Sequence, residues 1–282
     1  MPTFRMIKKK HLQLLIVGLL FCLCSCAGPG DDQPTPEASK RFLKLRGYNF
    51  DDQSFLSAAN AGDELAVNGF ISAGINLNAK DENGDTALTA AAARGDLKIV
   101  NALLVGAADV NAKGRNSWTA LLLALENERD EVADSLIVQP RLELKSETPN
   151  GMTALMLAVW HKRAEFVKKI LQRGADPNHQ DKDGDTAVHG AAWFGSSKIL
   201  EMLLGAGANP NLQNKLGGTA LMWAVAYGQD EAVQILLARG ADPRIKDVDG
   251  VTAAGWADKN GRSNLAMLLR VAEKKKSGGG GQ

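Results

Sequence analysis

Asp81-Glu82-Asn83-Gly84-Asp85-Thr86-Ala87-Leu88 passes from turn-forming residues into the opening of a helix, and its Thr-Ala pair measures out the rest of the chain. The pair returns at Thr119, Thr153, Thr186, Thr219 and Thr252, at intervals of 33, 34, 33, 33 and 33 residues. A period of this size means one supersecondary unit repeated, each unit too small to close its own core and therefore stacked on its neighbours. The chain reads as a solenoid, an architecture that mostly binds.

Beyond Leu88 the unit continues through Ala91-Ala92-Ala93-Arg94-Gly95-Asp96, then Ile99-Val100 and Leu103-Leu104, then Asp109-Val110-Asn111-Ala112. The Thr ends a hairpin turn and caps a first helix, accepting from backbone N–H groups that lack intrahelical partners. The paired alanines allow two helices and the next unit to approach closely. The Ile/Val and Leu-Leu positions recur at helical spacing and supply the core between units. Gly74, Gly174, Gly207 and Gly240 stand where second helices close in a left-handed residue. This pattern resembles the ankyrin repeat, with Ala following the Thr where Pro is more familiar, a common variant in bacterial members.

The resemblance covers residues 48–273 and implies an all-α solenoid of about seven helix-turn-helix units with hairpin-loop fingers, capped at both ends. The units fall near 48–80, 81–113, 114–147, 148–180, 181–213, 214–246 and 247–273, and a short helix from Ala38 to Arg46, with Phe42 and Leu45 on one face, is expected to cover the first. Ala254, Gly255, Asp258, Lys259 and Asn260 mark the last unit as a terminal cap, and residues 274–282 are expected to be a disordered tail. Ala107 and Pro140 replace the closing glycine in two adjacent units, Glu128 replaces the interhelix glycine found at Gly95 and Gly195, and the same unit carries the one-residue insertion. A local break in stacking is therefore expected near Gln139 to Pro149.

Composition fits a folded chain, with 45% hydrophobic and 23% charged residues. Arg5, Lys8, Lys9 and Lys10 precede an apolar run from His11 to Phe21, the layout of a secretory signal peptide over residues 1–25. Cys22, Cys24 and Cys26 all lie in or at the end of this segment, so the folded part has neither a disulfide nor a thiolate metal site. Leu23-Cys24-Ser25-Cys26 resembles the bacterial lipoprotein processing box, which implies lipidation of Cys26, an anchor in the bacterial envelope and, with Ala27 next, the outer membrane facing the periplasm. The alternative is an ordinary signal peptide and a soluble periplasmic or secreted protein. Residues 26–37 carry Pro29, Pro34, Pro36, Asp31 and Asp32 and read as an exposed tether. From Cys26 onward 29 basic residues stand against 32 acids, with no basic stripe of the kind nucleic acid requires.

Catalytic groupings are absent from the pattern, and neither an enzyme activity nor a cofactor is expected. His161, His179 and His189 sit at three different places in the repeat, without the paired spacing of a metal site. By the ankyrin resemblance His189 occupies a structural position. Asp181-Lys182-Asp183-Gly184-Asp185 has its glycine fourth rather than sixth, so it reads as a polar hairpin tip and not a calcium loop.

The resemblance places partner contacts on the hairpin tips and late in each first helix. That second position reads Ala93-Arg94, Glu126-Asn127, Trp160-His161, Trp193-Phe194 and Ala226-Tyr227 in successive units, with Trp118 and Met152 added from the hairpin arms. Exposed aromatics in such a row supply rigid contact area, whereas Trp223 and Trp256 are expected to be partly buried between units. The expected function is a monomeric, non-enzymatic module binding a protein through Arg94, Trp118, Met152, Trp160, His161, Trp193, Phe194 and Tyr227. On this reading Trp193→Ala weakens the partner and barely changes the fold. The alternatives are an immunity or inhibitor protein against a secreted toxin, an envelope hydrolase using hairpin acids, a passive spacer, and small-molecule binding on the same row.

Overall fold

Each Thr of the six Thr-Ala pairs sits in extended backbone immediately before a helix in the computed structural model, which describes residues 34–278. Five of the six threonine hydroxyls accept from the N–H three residues on, at 3.2 Å for Thr89 and 3.4 Å for Leu122, Met156, Met222 and Gly255. Such a cap is worth about 1 kcal/mol. At Thr186 the reciprocal bond leads, its own N–H reaching His189 Nδ1 at 3.1 Å.

After α1 (Pro36–Leu45), seven helix pairs follow. The first helices are α2 (Asp52–Ala61), α4 (Ala87–Arg94), α6 (Ala120–Glu126), α8 (Ala154–Trp160), α10 (Ala187–Phe194), α12 (Ala220–Ala226) and α14 (Ala253–Lys259). Their second helices are α3 (Glu64–Ser72), α5 (Leu97–Val105), α7 (Asp130–Ile137), α9 (Ala164–Gln172), α11 (Ser197–Gly205), α13 (Asp230–Ala238) and α15 (Ser263–Gly278). First helices pack on first helices of the adjacent units, second on second, and the two rows on each other. One continuous apolar core results, from Leu43 to Leu269, with Ala91, Ala92, Ala191 and Ala192 fully buried where the rows meet. No described helix is long and apolar enough to cross a membrane.

Two expectations at the ends are corrected. In α1 the side chains turned into the core are Ser39 and Leu43, whereas Leu45 is exposed and Phe42 only half-buried, because α1 lies along α3 at a different rotation. At the other end Lys274 to Ser277 belong to the last turns of α15, where Lys276 Nζ reaches the Gly240 and Ala241 carbonyls at 3.0 and 3.3 Å. The ammonium joins Asn211 Nδ2, which donates to the same Gly240 carbonyl at 3.3 Å, and ties the end of α15 to the loop after α13.

The stack continues through the irregular unit, although α7 and α9 pack less closely there than the second helices on either side. Elsewhere an N–H just past a closing left-handed residue returns to the helix, as Ala108 does to Leu103 at 2.9 Å and Ala208 to Leu203 at 3.0 Å. Proline has no N–H and its φ is locked negative. Around Pro140 the chain instead makes a turn in which Leu142 donates to the Gln139 carbonyl at 3.1 Å, which absorbs the extra residue and leaves Leu142 buried. Arg173 closes the seam by donating to the carbonyls of Ile137 and Gln139. What does break there is a side-chain ladder. Asn78, Asn111, Asn178 and Asn211 each accept from a backbone N–H of the following unit at 2.6–2.9 Å, and Lys145 occupies the equivalent place.

Ala107, Glu128 and Lys162 hold φ of 66°, 56° and 56° where neighbouring units use glycine. A β-carbon in this region is strained by about 1 kcal/mol. Ala107→Gly removes that strain and no polar contact, and we expect it to raise unfolding stability by roughly 0.5–1 kcal/mol in urea titration.

His189 is buried with both ring nitrogens engaged. Nδ1 accepts from Thr186 N–H, so the proton sits on Nε2, which donates to the Gly218 carbonyl at 3.1 Å. Burial holds the imidazole below its ordinary range, only partly offset by the Asp185 and Asp181 carboxylates and the Gly218 carbonyl. The unfolded chain therefore takes up a proton that the folded chain refuses. We expect stability to fall as pH drops below about 6.5, at up to about 1.4 kcal/mol per pH unit, with a flatter profile in His189→Gln. Asp185 is raised by its own burial and contributes with the opposite sign, so the variant comparison isolates the imidazole.

Candidate protein-docking surface

The first helices end on their largest side chains. Trp160 closes α8, Trp193 and Phe194 close α10, and Tyr227 caps α12 one turn beyond Trp223. Because adjacent first helices share one stacking offset, these residues meet. Trp193 is the hub, with ring centroids at 5.4 Å from Trp160, 5.9 Å from Phe194, 5.0 Å from Trp223 and 4.8 Å from Tyr227. Trp160 stands edge-on to Trp193 at 89° and to Phe194 at 75°, while Tyr227 stacks on Trp193 at 22°. Trp223 supports Tyr227 from 6.0 Å and meets His189 at 6.3 Å. Edge-to-face and offset pairs of this kind contribute about 0.5–1.5 kcal/mol each beyond area burial, so the cluster is rigid before anything binds.

Exposure is graded across it. Trp160 is 44% exposed and Tyr227 50%, whereas Trp193, Phe194 and Trp223 are half-buried. This corrects the expectation for Trp193: it is wedged among four rings, and its truncation removes internal packing as well as surface. Trp223 is partly buried against the core, as expected, and forms the foundation of the exposed cluster. Its i, i+4 relation to Tyr227 on one helix face was the available signal.

Polar groups frame the rings. Lys162, left-handed after α8, carries its ammonium 4.5 Å over the Phe194 ring. His161 lies between Glu126 Oε2 at 3.3 Å and Glu128 Oε1 at 3.4 Å, and Arg163 pairs with Glu128 and with Asp130 at 3.6 Å. Gln229 Nε2 donates to the Trp193 carbonyl at 3.0 Å and fastens α10 to the following unit. Lys162 was not identified from sequence, since its placement follows from an unusual backbone angle.

Other expected contact residues lie apart. Trp118 and Met152 pack partly buried against the core, and Trp118 pairs with no ring among the described residues. Arg94, two units before Trp160, is committed to Asp96 at 2.5 Å and to the Ala59 carbonyl. Trp256 is held by its Nε1, which donates to Asp247 Oδ2 at 2.8 Å. Asp181 spends its Oδ1 on the N–H groups of Asp183 and Asp185, both at 2.9 Å, as a hairpin tip does. Among the described residues no group of three or more His, Cys, Asp or Glu side chains is placed to hold a metal ion.

The family model for ankyrin repeats, built on three copies, matches residues 55–146, 109–181, 133–214 and 188–277. The chain belongs to the ankyrin-repeat family. Among solved structures it is similar to an ankyrin repeat domain from Acinetobacter baumannii AYE, at 28% identity and a TM-score of 0.62, over 66% of this chain and 96% of that one. It is similar also to the ankyrin repeat domain of Bcl-3, a member of the IkappaB family, at 28% identity and a TM-score of 0.66, over 77% of this chain and 96% of that one. No curated protein sequence matches the chain. Ankyrin arrays are generally non-enzymatic scaffolds that bind proteins, and no catalytic family is indicated here.

Proposed function

We propose that this ankyrin protein is lipid-anchored through Cys26 in a bacterial envelope and docks a partner protein on the ring cluster of α8, α10 and α12. The observation carrying the docking reading is the five-ring contact network that presents Trp160 and Tyr227 to solvent. Such rings, immobilised in advance, bind without a large ordering cost, which is how aromatic hot spots come to dominate interfaces.

The anchor rests on the sequence around Leu23-Cys24-Ser25-Cys26, which lies outside the described residues. Multiple acyl chains on one cysteine give stable membrane residence where a single chain gives only marginal binding. On metabolic labelling with a fatty acid the native protein is expected to carry the label, and the Cys26→Ser chain none. Equal recovery of acylated product from both would overturn the anchor. Capture of partners from envelope extracts, compared with ring-truncated bait, tests the docking face.

A further inference from the structure

Charge is divided unevenly along this chain. Residues 26–252 hold 23 lysines and arginines against 30 acids, whereas residues 253–282 hold six against two. The body of the array is thus acidic, whereas α15 is basic, with Arg270, Lys274, Lys275 and Lys276 against Glu273. Such asymmetry between segments is a sign of interaction with an acidic surface.

The same helix also carries an exposed apolar stripe. One side of α15 faces the core, with Ala266 and Leu269 fully buried. The opposite side leaves Met267 68%, Leu268 45% and Val271 49% exposed. These three fall at i, i+1 and i+4, on one stripe that ends at Lys275. Lys274 and Lys275 are exposed beside it, with Arg270 one turn earlier engaged to Asp258. A terminal unit whose role were only to shield the core would present polar groups here.

We propose that α15 is a peripheral membrane-contact helix, its Met267, Leu268 and Val271 stripe entering the headgroup region of an anionic bilayer while Lys274 and Lys275 engage lipid phosphates. An apolar stripe bordered by lysines suits an interface that is oily at depth and negative at its surface. The acidic body is repelled by the same surface, so contact through α15 orients the array, leaving the ring cluster of α8, α10 and α12 free for its partner. The contact does not depend on acylation of Cys26.

The test uses the chain from Ala27 onward, which cannot be acylated at Cys26 and retains the whole core from Leu43 to Leu269. It is mixed with extruded vesicles of phosphatidylcholine containing 30% phosphatidylglycerol, and with vesicles of phosphatidylcholine alone, and bound protein is measured by flotation. We expect binding to the anionic vesicles that falls at least tenfold in Met267→Glu/Val271→Glu, and several-fold in Lys274→Gln/Lys275→Gln or in 0.5 M salt. Thermal unfolding run on each variant should superimpose, since every substituted side chain is exposed. Binding unaffected by the glutamates, or equal on both vesicle types, would overturn the proposal. So would a parent chain that ignores vesicles and dimerises through the stripe, detected by light scattering as a dimer that the glutamates dissociate. Loss of partner capture or of Cys26 acylation would leave this result unchanged, which separates it from the docking and anchoring readings.

Discussion

Trp160→Ala combined with Tyr227→Ala is expected to weaken partner capture about 100-fold or more while leaving the array folded. The two rings stand at opposite edges of the cluster and are its most exposed members, so they are the ones a partner meets first. Truncating an aromatic anchor at a hot spot costs roughly 2 kcal/mol or more, and two such losses approach 3–4 kcal/mol if partly additive. Every 1.4 kcal/mol is about tenfold in affinity. The folding cost is smaller, because Trp193 continues to pack on Phe194 and Trp223. Trp193→Ala is the less informative variant for the same reason: a loss of binding would be mixed with collapse of the hub. The experiment captures proteins from envelope extracts on wild-type and doubly substituted bait, with melting curves for both. The same proteins recovered in the same amounts would dismiss the rings as a docking face.

Gly217→Ala is expected to destabilise the array by roughly 3 kcal/mol, whereas Gly250→Ala at the equivalent tip of the next hairpin costs about 1 kcal/mol. Both glycines are left-handed, with φ of 72° and 75°, so the strain of adding a β-carbon is common to the two. The difference is what the new carbon meets. At Gly217 it would lie 2.7 Å from the Val248 backbone nitrogen and 2.8 Å from Asp247 Cα, whereas nothing lies within 4 Å at Gly250. Backbone cannot swing aside as a side chain can. The tips approach this closely because they are bonded in series: Lys182 N–H to the Asn150 carbonyl at 2.9 Å, Lys215 to Asp183 at 2.9 Å and Val248 to Leu216 at 3.1 Å. Pro149 holds the place of the donor in the first of these hairpins and has none to offer, so the ladder begins there. Chemical denaturation of the two variants beside the parent decides the matter. Equal losses would mean that the ladder yields to accommodate a methyl group.

Local signals survived into the structure almost residue for residue. The threonines cap, the alanines are buried at the meeting of the rows, and His189 takes up a structural role within its hairpin, because each depends on atoms within a few residues or on a contact repeated in every unit. The row of large residues late in the first helices was legible for that reason too: a shared offset brings equivalent positions together. Where the sequence reading went astray, the deciding contact was singular. Lys274 to Ser277 look like a solvated tail until Lys276 finds the Gly240 and Ala241 carbonyls beyond α13. Gln139 to Leu142 look like a fault in the stack until Arg173 reaches across it.

Periodicity in the chain was therefore enough to specify the family, the helix pairs, their order and the ridge of aromatics, since identical units can superimpose in only one way. The gradation of exposure among those rings, with Trp193 as a wedged hub and Trp160 and Tyr227 as open edges, came from packing in three dimensions. So did the hairpin ladder and the bare stripe on α15. These depend on distances between side chains and backbone about 30 residues apart, which no spacing along the chain encodes.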